Sequence, residues 1–287
     1  MTWFIFAILT AFFESLKDVF SKQSLKYIDE YIVAWSLMFF SLPFSLPILL
    51  FVGIPPLNGK FWLALIAGGS LNIIATLLYI KAIKSWDLSI TVPLVTFTPL
   101  FLLITSPLMV HEFPSLLNTV GIFLIVTGSY VLNLKERHKG YLAPFQALLA
   151  QTGPKLMLAV ALIWSITSNF DKIGVVNSSP TFWAIAIYAF IAAGLFPIML
   201  YKSHKKLKQI PKFWKILLPL GLFNALGILL QMQAVSLTLV AYVISIKRTS
   251  VLMSVGFGHF IFKEKGIQER SLGAAIMILG VAIISLF

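Results

Sequence analysis

The chain has 287 residues and no cysteine, so disulfides, thiolate metal sites and thiol chemistry are excluded from the outset. Charge is scarce too. Charged side chains make up 11% of the chain, against about 25% in an ordinary soluble domain. Acid is scarcest, with 10 Asp and Glu beside 22 Lys and Arg. There is no glycine-rich nucleotide loop, no His/Asp box and no suitably spaced Ser/His pair. That removes the sequence support for an ATP-driven pump or for a membrane-embedded enzyme acting on lipid. A repeated pore-loop signature of the kind a channel needs is missing as well. The N-terminus lacks the basic stretch of a cleavable signal peptide, and Glu14, Lys17 and Asp18 interrupt its apolar run. No cofactor and no metal site is expected.

What the chain has is apolar length. Hydrophobic residues make up 59% of it and the mean hydropathy is +0.94. A helix crosses the hydrocarbon of a bilayer in about 20 residues. Segments of that kind lie at 3–21, 31–52, 61–83, 89–110, 116–134, 156–173, 180–201, 214–236, 240–262 and 271–287. The expectation is an all-α integral membrane protein with ten transmembrane helices and no separate soluble domain. The formal charge of +12 does not mark a nucleic-acid partner, because the basic residues lie in short loops between spans. There they set topology and meet anionic lipid headgroups.

The second half repeats the first. Ala11, Ser15, Phe20 and Lys22 match Ala161, Ser165, Phe170 and Lys172 at an offset of 150. Gly69, Asn72, Ala82, Glu112, Gly121 and Gly128 match Gly221, Asn224, Ala234, Glu264, Gly273 and Gly280 at an offset of 152. Five spans per copy is an odd number, so the second copy enters the membrane upside down. Charge agrees: loops after spans 1, 3, 5, 7 and 9 carry 17 basic residues, and the other loops only Lys60 and Lys172. The bias inverts in all four loop pairs of the two copies. The rich face, which includes the connector 135–155, is expected to be cytoplasmic, with both termini outside. Two inverted five-helix repeats meeting at the bilayer midplane are the architecture of alternating-access transporters.

These matched residues resemble the drug/metabolite transporter superfamily in its ten-helix form with two EamA-type domains. In the first half Lys81-Ala82-Ile83 leads to Pro93-Leu94, Pro99-Leu100, Glu112, Gly121 and Gly128. The second half keeps Ala234, Glu264, Gly273 and Gly280 but has Ser245 for Pro93 and Val251 for Pro99, while Trp164-Ser165 looks like the family's tryptophan-plus-small pair. The resemblance implies EamA-like repeats at 1–134 and 156–287 joined by 135–155, in a multi-pass protein of the cell membrane. Span 1 departs, with Glu14 where the fused family usually has tryptophan and Lys22 eight residues on. This resembles the first helix of the small multidrug resistance branch, whose membrane glutamate exchanges protons for cationic drugs. It implies a proton-coupled site at Glu14.

Charges in hydrocarbon cost roughly 2.5–3.5 kcal/mol each on insertion scales, so they point to water, a partner or a substrate. Thr10, Glu14, Lys17, Asp18 and Ser21 share one face of span 1. At the repeat offset, Glu14, Lys17, Asp18 and Ser21 fall on Trp164, Thr167, Ser168 and Asp171 of span 6. A polar chamber between the halves explains both stripes. The structural alternative is a self-neutralising cluster in which Lys17 bridges Glu14 and Asp18. Span 9 carries Lys247 and Arg248 beside Tyr242, Ser245 and Thr249, whereas span 4 has Val95 and Thr96 at the equivalent places. Neighbouring residues point about 100° apart on a helix, so one cation meets a substrate carboxylate or Glu14 and the other does not. Arg248 is the stronger candidate, because a guanidinium grips carboxylate or phosphate bidentately.

Asn72 and Asn224 are paired across the repeats and serve either packing or the chamber. His259 reads as a hydrogen-bonded helix-end histidine, and Pro93, Pro99 and Pro107 permit span 4 to bend. Glu112 and Glu264 read as carboxylates that satisfy backbone donors of the next helix, and Gly121, Gly128, Gly273 and Gly280 as helix-packing positions. The candidate substrate-binding or coupling residues are therefore Glu14, Lys17, Asp18, Asn72, Trp164, Ser168, Asn224, Tyr242, Lys247 and Arg248. The expected function is secondary active transport, as an exporter or exchanger, of a small polar metabolite such as an amino acid. Substrate is expected between spans 1, 3, 4 and 6, 8, 9, with one half rocking against the other and a proton taken up at Glu14. Multidrug efflux of lipophilic cations is the alternative. The expected partners are a small-molecule substrate and membrane lipid, for a monomer or homodimer.

Overall fold

The computed structural model describes residues 1–85, 92–133, 152–262 and 267–286, and every regular element among them is helical. Glu264, the connector up to residue 151 and the side chain of His259 lie outside the described residues. Five helical stretches have the length and apolarity to cross a membrane: Glu30–Val52, Gly59–Ala82, Thr152–Val176, Pro180–Lys206 and Trp214–Leu237. Three shorter apolar helices are Leu94–Val110, Leu116–Leu132 and Leu272–Leu286. Helix α1 (Thr2–Ser24) has the length and carries Glu14, Lys17 and Asp18 within it.

Three spans depart from a plain helix. Span 2 is α2 (Glu30–Phe39), α3 (Leu42–Ser45), a 3-10 turn and α4 (Leu49–Val52), with Pro43 and Pro47 removing backbone donors along it. After α5 (Gly59–Ser85), span 4 is a 3-10 stretch, Val92–Phe97, followed by α6 (Thr98–Val110). Beyond α7 (Leu116–Asn133), α8 (Thr152–Val176), α9 (Pro180–Ser203), α10 (Gln209–Lys212) and α11 (Trp214–Leu237), span 9 divides into α12 (Val240–Lys247) and α13 (Ser250–Phe262). The chain closes with α14 (Ile267–Leu286).

The residues sort into two compact units, and neither is one of the sequence repeats. The first comprises Thr2–Ile73 and Phe170–Leu237; the second comprises Ile74–Asn169 and Thr238–Phe287. Each therefore takes spans from both halves of the sequence, because a helix here buries its face against helices of the opposite copy.

In the first unit α1 lies along α11. Phe13 and Phe20, one heptad apart on α1, both pack on Phe223 with ring centroids 6.3 and 5.4 Å away. The break in span 2 rests on Gly221: a Cβ there would sit 2.4 Å from the carbonyl carbon of Phe40, so backbone meets backbone and only glycine fits. At one end Asp29 joins two loops. It caps α2 through the Tyr31 amide, accepts from Ser203 Oγ at 2.5 Å and pairs with Lys206 at 2.8 Å. At the other end Asn58 Nδ2 donates to Asn177 Oδ1 at 2.8 Å. The loops after spans 1 and 7 thus share an end, as do those after spans 2 and 6.

Burial pushes the pKa of Asp29 up, but the bonds from Lys206, Ser203 and the Tyr31 amide outweigh it and hold the carboxyl below its ordinary value. A depressed pKa contributes stability that is present above the unfolded value, about 3.9, and lost as pH falls through the folded one. Asparagine caps helices as well as aspartate does, so Asp29→Asn isolates the charge. The variant is expected to melt below the parent at neutral pH, with the gap closing below about pH 4. A gap that stays constant with pH counts against the charge as its source.

The second unit is closed by α7 against α14. A Cβ on Gly121 would lie 2.9 Å from Gly280 O, and one on Gly280 would lie 2.6 Å from Gly121 O. Gly128 and Gly273 repeat the pattern at 2.6 and 2.7 Å. Since Gly121 is equivalent to Gly273 and Gly128 to Gly280, each glycine meets the counterpart of the other. That reciprocity is what a two-fold axis between antiparallel copies produces. The inversion of the repeats is thereby visible in backbone contacts.

Candidate functional site

Spans 4 and 9 break at equivalent places. Pro99 has no N–H, so Val95 O loses its helical donor, and Thr98 Oγ1 supplies one at 2.8 Å. The 3-10 stretch gives way to α6 at Thr98, and Thr98 plus the offset of 152 is Ser250, the first residue of α13. No proline is needed in span 9. There the amides of Thr249 and Val251 bond back three residues, to Ile246 O and Arg248 O, at 2.9 and 3.2 Å. Thr249 Oγ1 donates to Ile246 O at 2.7 Å, as Thr98 does to Val95 O. A threonine hydroxyl thus bonds a carbonyl three residues back at each break.

Arg248 joins these breaks. It is the C-cap of α12, where the negative end of the helix dipole favours a cation. Its Nη2 donates to Thr98 Oγ1 at 2.8 Å. Arg248 and its neighbour Lys247 are both half-buried. Two positive charges therefore lie within the second unit, where helical hydrogen bonding is interrupted in both repeats.

Around them the unit is heavily bonded. Asn169, fully buried, donates to Thr105 Oγ1 at 3.0 Å and accepts from Ser106 Oγ at 2.8 Å. Tyr242 is a tie between helices: its hydroxyl accepts from the Ser115 amide at 3.1 Å and from Asn118 Nδ2 at 3.0 Å. Glu112 was expected to serve the next helix. Its Oε2 accepts from the Val240 amide at 2.7 Å, so it caps α12 of the opposite repeat. Trp164 packs against Tyr79, the rings tilted by 34°, beside an apolar cluster of Ala82, Leu94, Val95 and Met157, and Ser168 donates to Trp164 O at 2.8 Å within its own helix.

The first unit holds the acidic candidates. Lys17 Nζ lies 2.5 Å from Glu14 Oε1 and 3.6 Å from Asp18 Oδ1, so the bridging cluster forms. Asp18 is the most exposed of the three, at 48% of its side chain. Tyr188 on α9 lies within electrostatic reach of Glu14, Lys17 and Asp171, and its hydroxyl donates to Asn224 Oδ1 at 3.2 Å. Asn224 in turn donates to Leu37 O at 2.9 Å and Ser41 Oγ at 3.0 Å, tying α11 to the break in span 2. Its equivalent Asn72 donates to Gly68 O of its own helix at 3.1 Å. Asp171, at the end of the span 6 stripe, accepts from Trp183 Nε1 at 2.9 Å.

Glu14, Lys17, Asp18, Asn72 and Asn224 thus belong to the first unit, and Trp164, Ser168, Tyr242, Lys247 and Arg248 to the second. Among the described residues no group of three or more His, Asp or Glu is placed to hold a metal ion.

Comparison with known families decides the class. The model of the EamA-like transporter family matches residues 1–134 and 151–286. The chain belongs to the EamA-like transporter family. It is therefore a multi-pass membrane transporter of the drug/metabolite type. Comparison with curated proteins returns no match. A solved crystal structure of another protein superposes with a TM-score of 0.79 over 99% of this chain and 96% of its own. The two are 13% identical, so this EamA-family chain shares its fold and nothing more specific.

Three bonded residues of this EamA-family chain were not singled out from the sequence: Tyr188 in the first unit, and Asn169 and Thr98 in the second. Asn169 left a signal, since its equivalent in span 1 is Val19 and the fold makes no demand for an amide there. Tyr188 and Thr98 left none, because a tyrosine or threonine in an apolar span is ordinary.

Proposed function

We propose that this EamA-family protein is a secondary active transporter, working as an exporter or exchanger, for a small polar metabolite that carries a carboxylate, such as an amino acid. The observation that carries this reading is Arg248, a half-buried guanidinium donating to Thr98 at the point where spans 4 and 9 both break. Discontinuous helices are where secondary transporters build substrate and ion sites. A guanidinium fork suits a planar carboxylate, and Lys247 adds a second positive charge. Alternating access then draws on the two breaks, where three-residue hydrogen bonds replace regular helical ones. We place the lysine-rich end in the cytoplasm of a plasma-membrane protein, as a monomer or homodimer. Purified protein screened by thermal shift against a metabolite panel, then tested for liposome counterflow of the hits, checks the substrate class. Stabilisation by carboxylate-bearing zwitterions and not by their esters is the expected result; stabilisation by esters alone removes the reading.

Glu14 is proposed as the proton-coupling residue. It is an acid on a membrane helix, held by Lys17 at 2.5 Å. That contact also speaks against multidrug efflux, because the carboxylate is already matched by a cation. Glu14→Gln is expected to abolish uphill accumulation driven by a pH gradient while leaving counterflow intact. Uphill accumulation at the parent level would remove Glu14 from the coupling.

A further inference from the structure

Residues 201–215 hold Lys202, Lys205, Lys206, Lys208, Lys212 and Lys215 and no acidic residue. They run from the last turn of α9 through a 3-10 turn, His204–Lys206, and the short α10 into α11 at Trp214. Both flanking helices are apolar enough to span the membrane. So short a connection keeps the segment at headgroup depth.

One side of the segment is fastened. Ser203 and Lys206 bond to the Asp29 carboxylate, Gln209 Oε1 accepts from the Asp29 amide at 3.0 Å, and Phe213 stacks on Tyr27 with centroids 6.0 Å apart. The other side faces outward. Lys202, Lys205, Lys208, Lys212 and Lys215 are exposed. So are Tyr201 at 79% and Trp214 at 49%, ring types that settle at the membrane–water interface. Setting topology requires only that lysines be present in a loop. It does not require them to be ordered, and here Asp29 orders them.

We propose that residues 201–215 form a docking site for the headgroups of anionic phospholipids, with Asp29 as the positioning residue that holds the lysines outward. Each lysine near an anionic leaflet adds favourable energy, and the attraction fades within a Debye length. Charge complementarity selects the occupant: a phosphodiester headgroup with a net negative charge, as in phosphatidylglycerol, and not a zwitterionic one.

The test uses the full-length protein in nanodiscs of phosphatidylcholine alone or with about one third phosphatidylglycerol. Anionic lipid is expected to raise the melting temperature by several degrees and to be recruited roughly tenfold over its bulk share. High salt is expected to cancel both effects. The triple variant Lys205→Gln, Lys208→Gln, Lys212→Gln retains Lys202, Lys206 and Lys215, so the topological bias and the Asp29 contacts persist. It should melt like the parent in phosphatidylcholine and lose the increment in phosphatidylglycerol. Asp29→Asn should diminish the increment, and an undiminished one would remove the positioning role. Equal melting in both lipids, or a triple variant that keeps the increment, overturns the proposal. So does inorganic phosphate reproducing the shift in phosphatidylcholine, which would make the ligand a soluble anion.

Discussion

Arg248→Ala is expected to reduce counterflow in proteoliposomes by about a hundredfold, the loss typical of removing one partner of a desolvated charged contact. The reason is local. The guanidinium stands at the C-terminus of α12 and donates to Thr98, at the break in each repeat. Thr98 keeps its own bond to Val95 O when the arginine is removed, so the breaks survive and the protein is expected to remain folded. Arg248→Lys retains the charge but not the planar fork, and an intermediate rate is expected. Size-exclusion and melting profiles control for folding. Parent-like counterflow in Arg248→Ala would take the residue out of the substrate path.

The largest effect on stability is expected at Gly128. A methyl group there would meet Gly273 O at 2.6 Å and the Met277 amide nitrogen at 2.7 Å, both backbone atoms that cannot turn aside. Overpacking ordinarily costs about 1–3 kcal/mol. Here the clash forces two helices apart, so Gly128→Ala should reach or exceed the upper end of about 3 kcal/mol. Gly128→Leu should prevent recovery of folded protein. Gly256 supplies the control, since nothing lies within 4 Å of its notional Cβ and Gly256→Ala should melt close to the parent. Similar melting of the two alanine variants would show that α7 and α14 pack with more slack than their glycines indicate.

The helical membrane architecture and its inverted repeats were legible because both leave marks that need no partner. A bilayer demands apolar length wherever a helix crosses it, and Gly121, Gly128, Gly273 and Gly280 keep their seven-residue spacing in both copies. Other features depended on pairing, which hydropathy does not encode. Span 9 reads as one continuous helix that carries Lys247 and Arg248, with Ser245 and Val251 where span 4 has prolines, yet it divides at Arg248 and Thr249. Glu112 was recognisable as a capping carboxylate, but the amide it caps lies in the opposite repeat. Asn72 and Asn224 look alike in sequence. Asn224 faces the broken span 2, with its displaced carbonyl and the Ser41 hydroxyl, and bonds across to it, whereas Asn72 donates to Gly68 O of its own helix. In span 1 the spacing of Glu14, Lys17 and Asp18 offered the ion pairs as the structural alternative to a polar chamber, since one helix supplies all three.

The sharing of each compact unit between both halves of the polypeptide also bears on how the protein is made. Most multidomain chains fold in the order of translation, each domain closing before the next is complete. Here the first five spans leave the ribosome before the helices that cover them exist. The carbonyl of Leu37 waits for Asn224, the backbone at Phe40 for Gly221 and the glycines of α7 for α14. The first unit consequently cannot close before Leu237 has been made, nor the second before α14, so helices already inserted in lipid meet their counterparts late in synthesis.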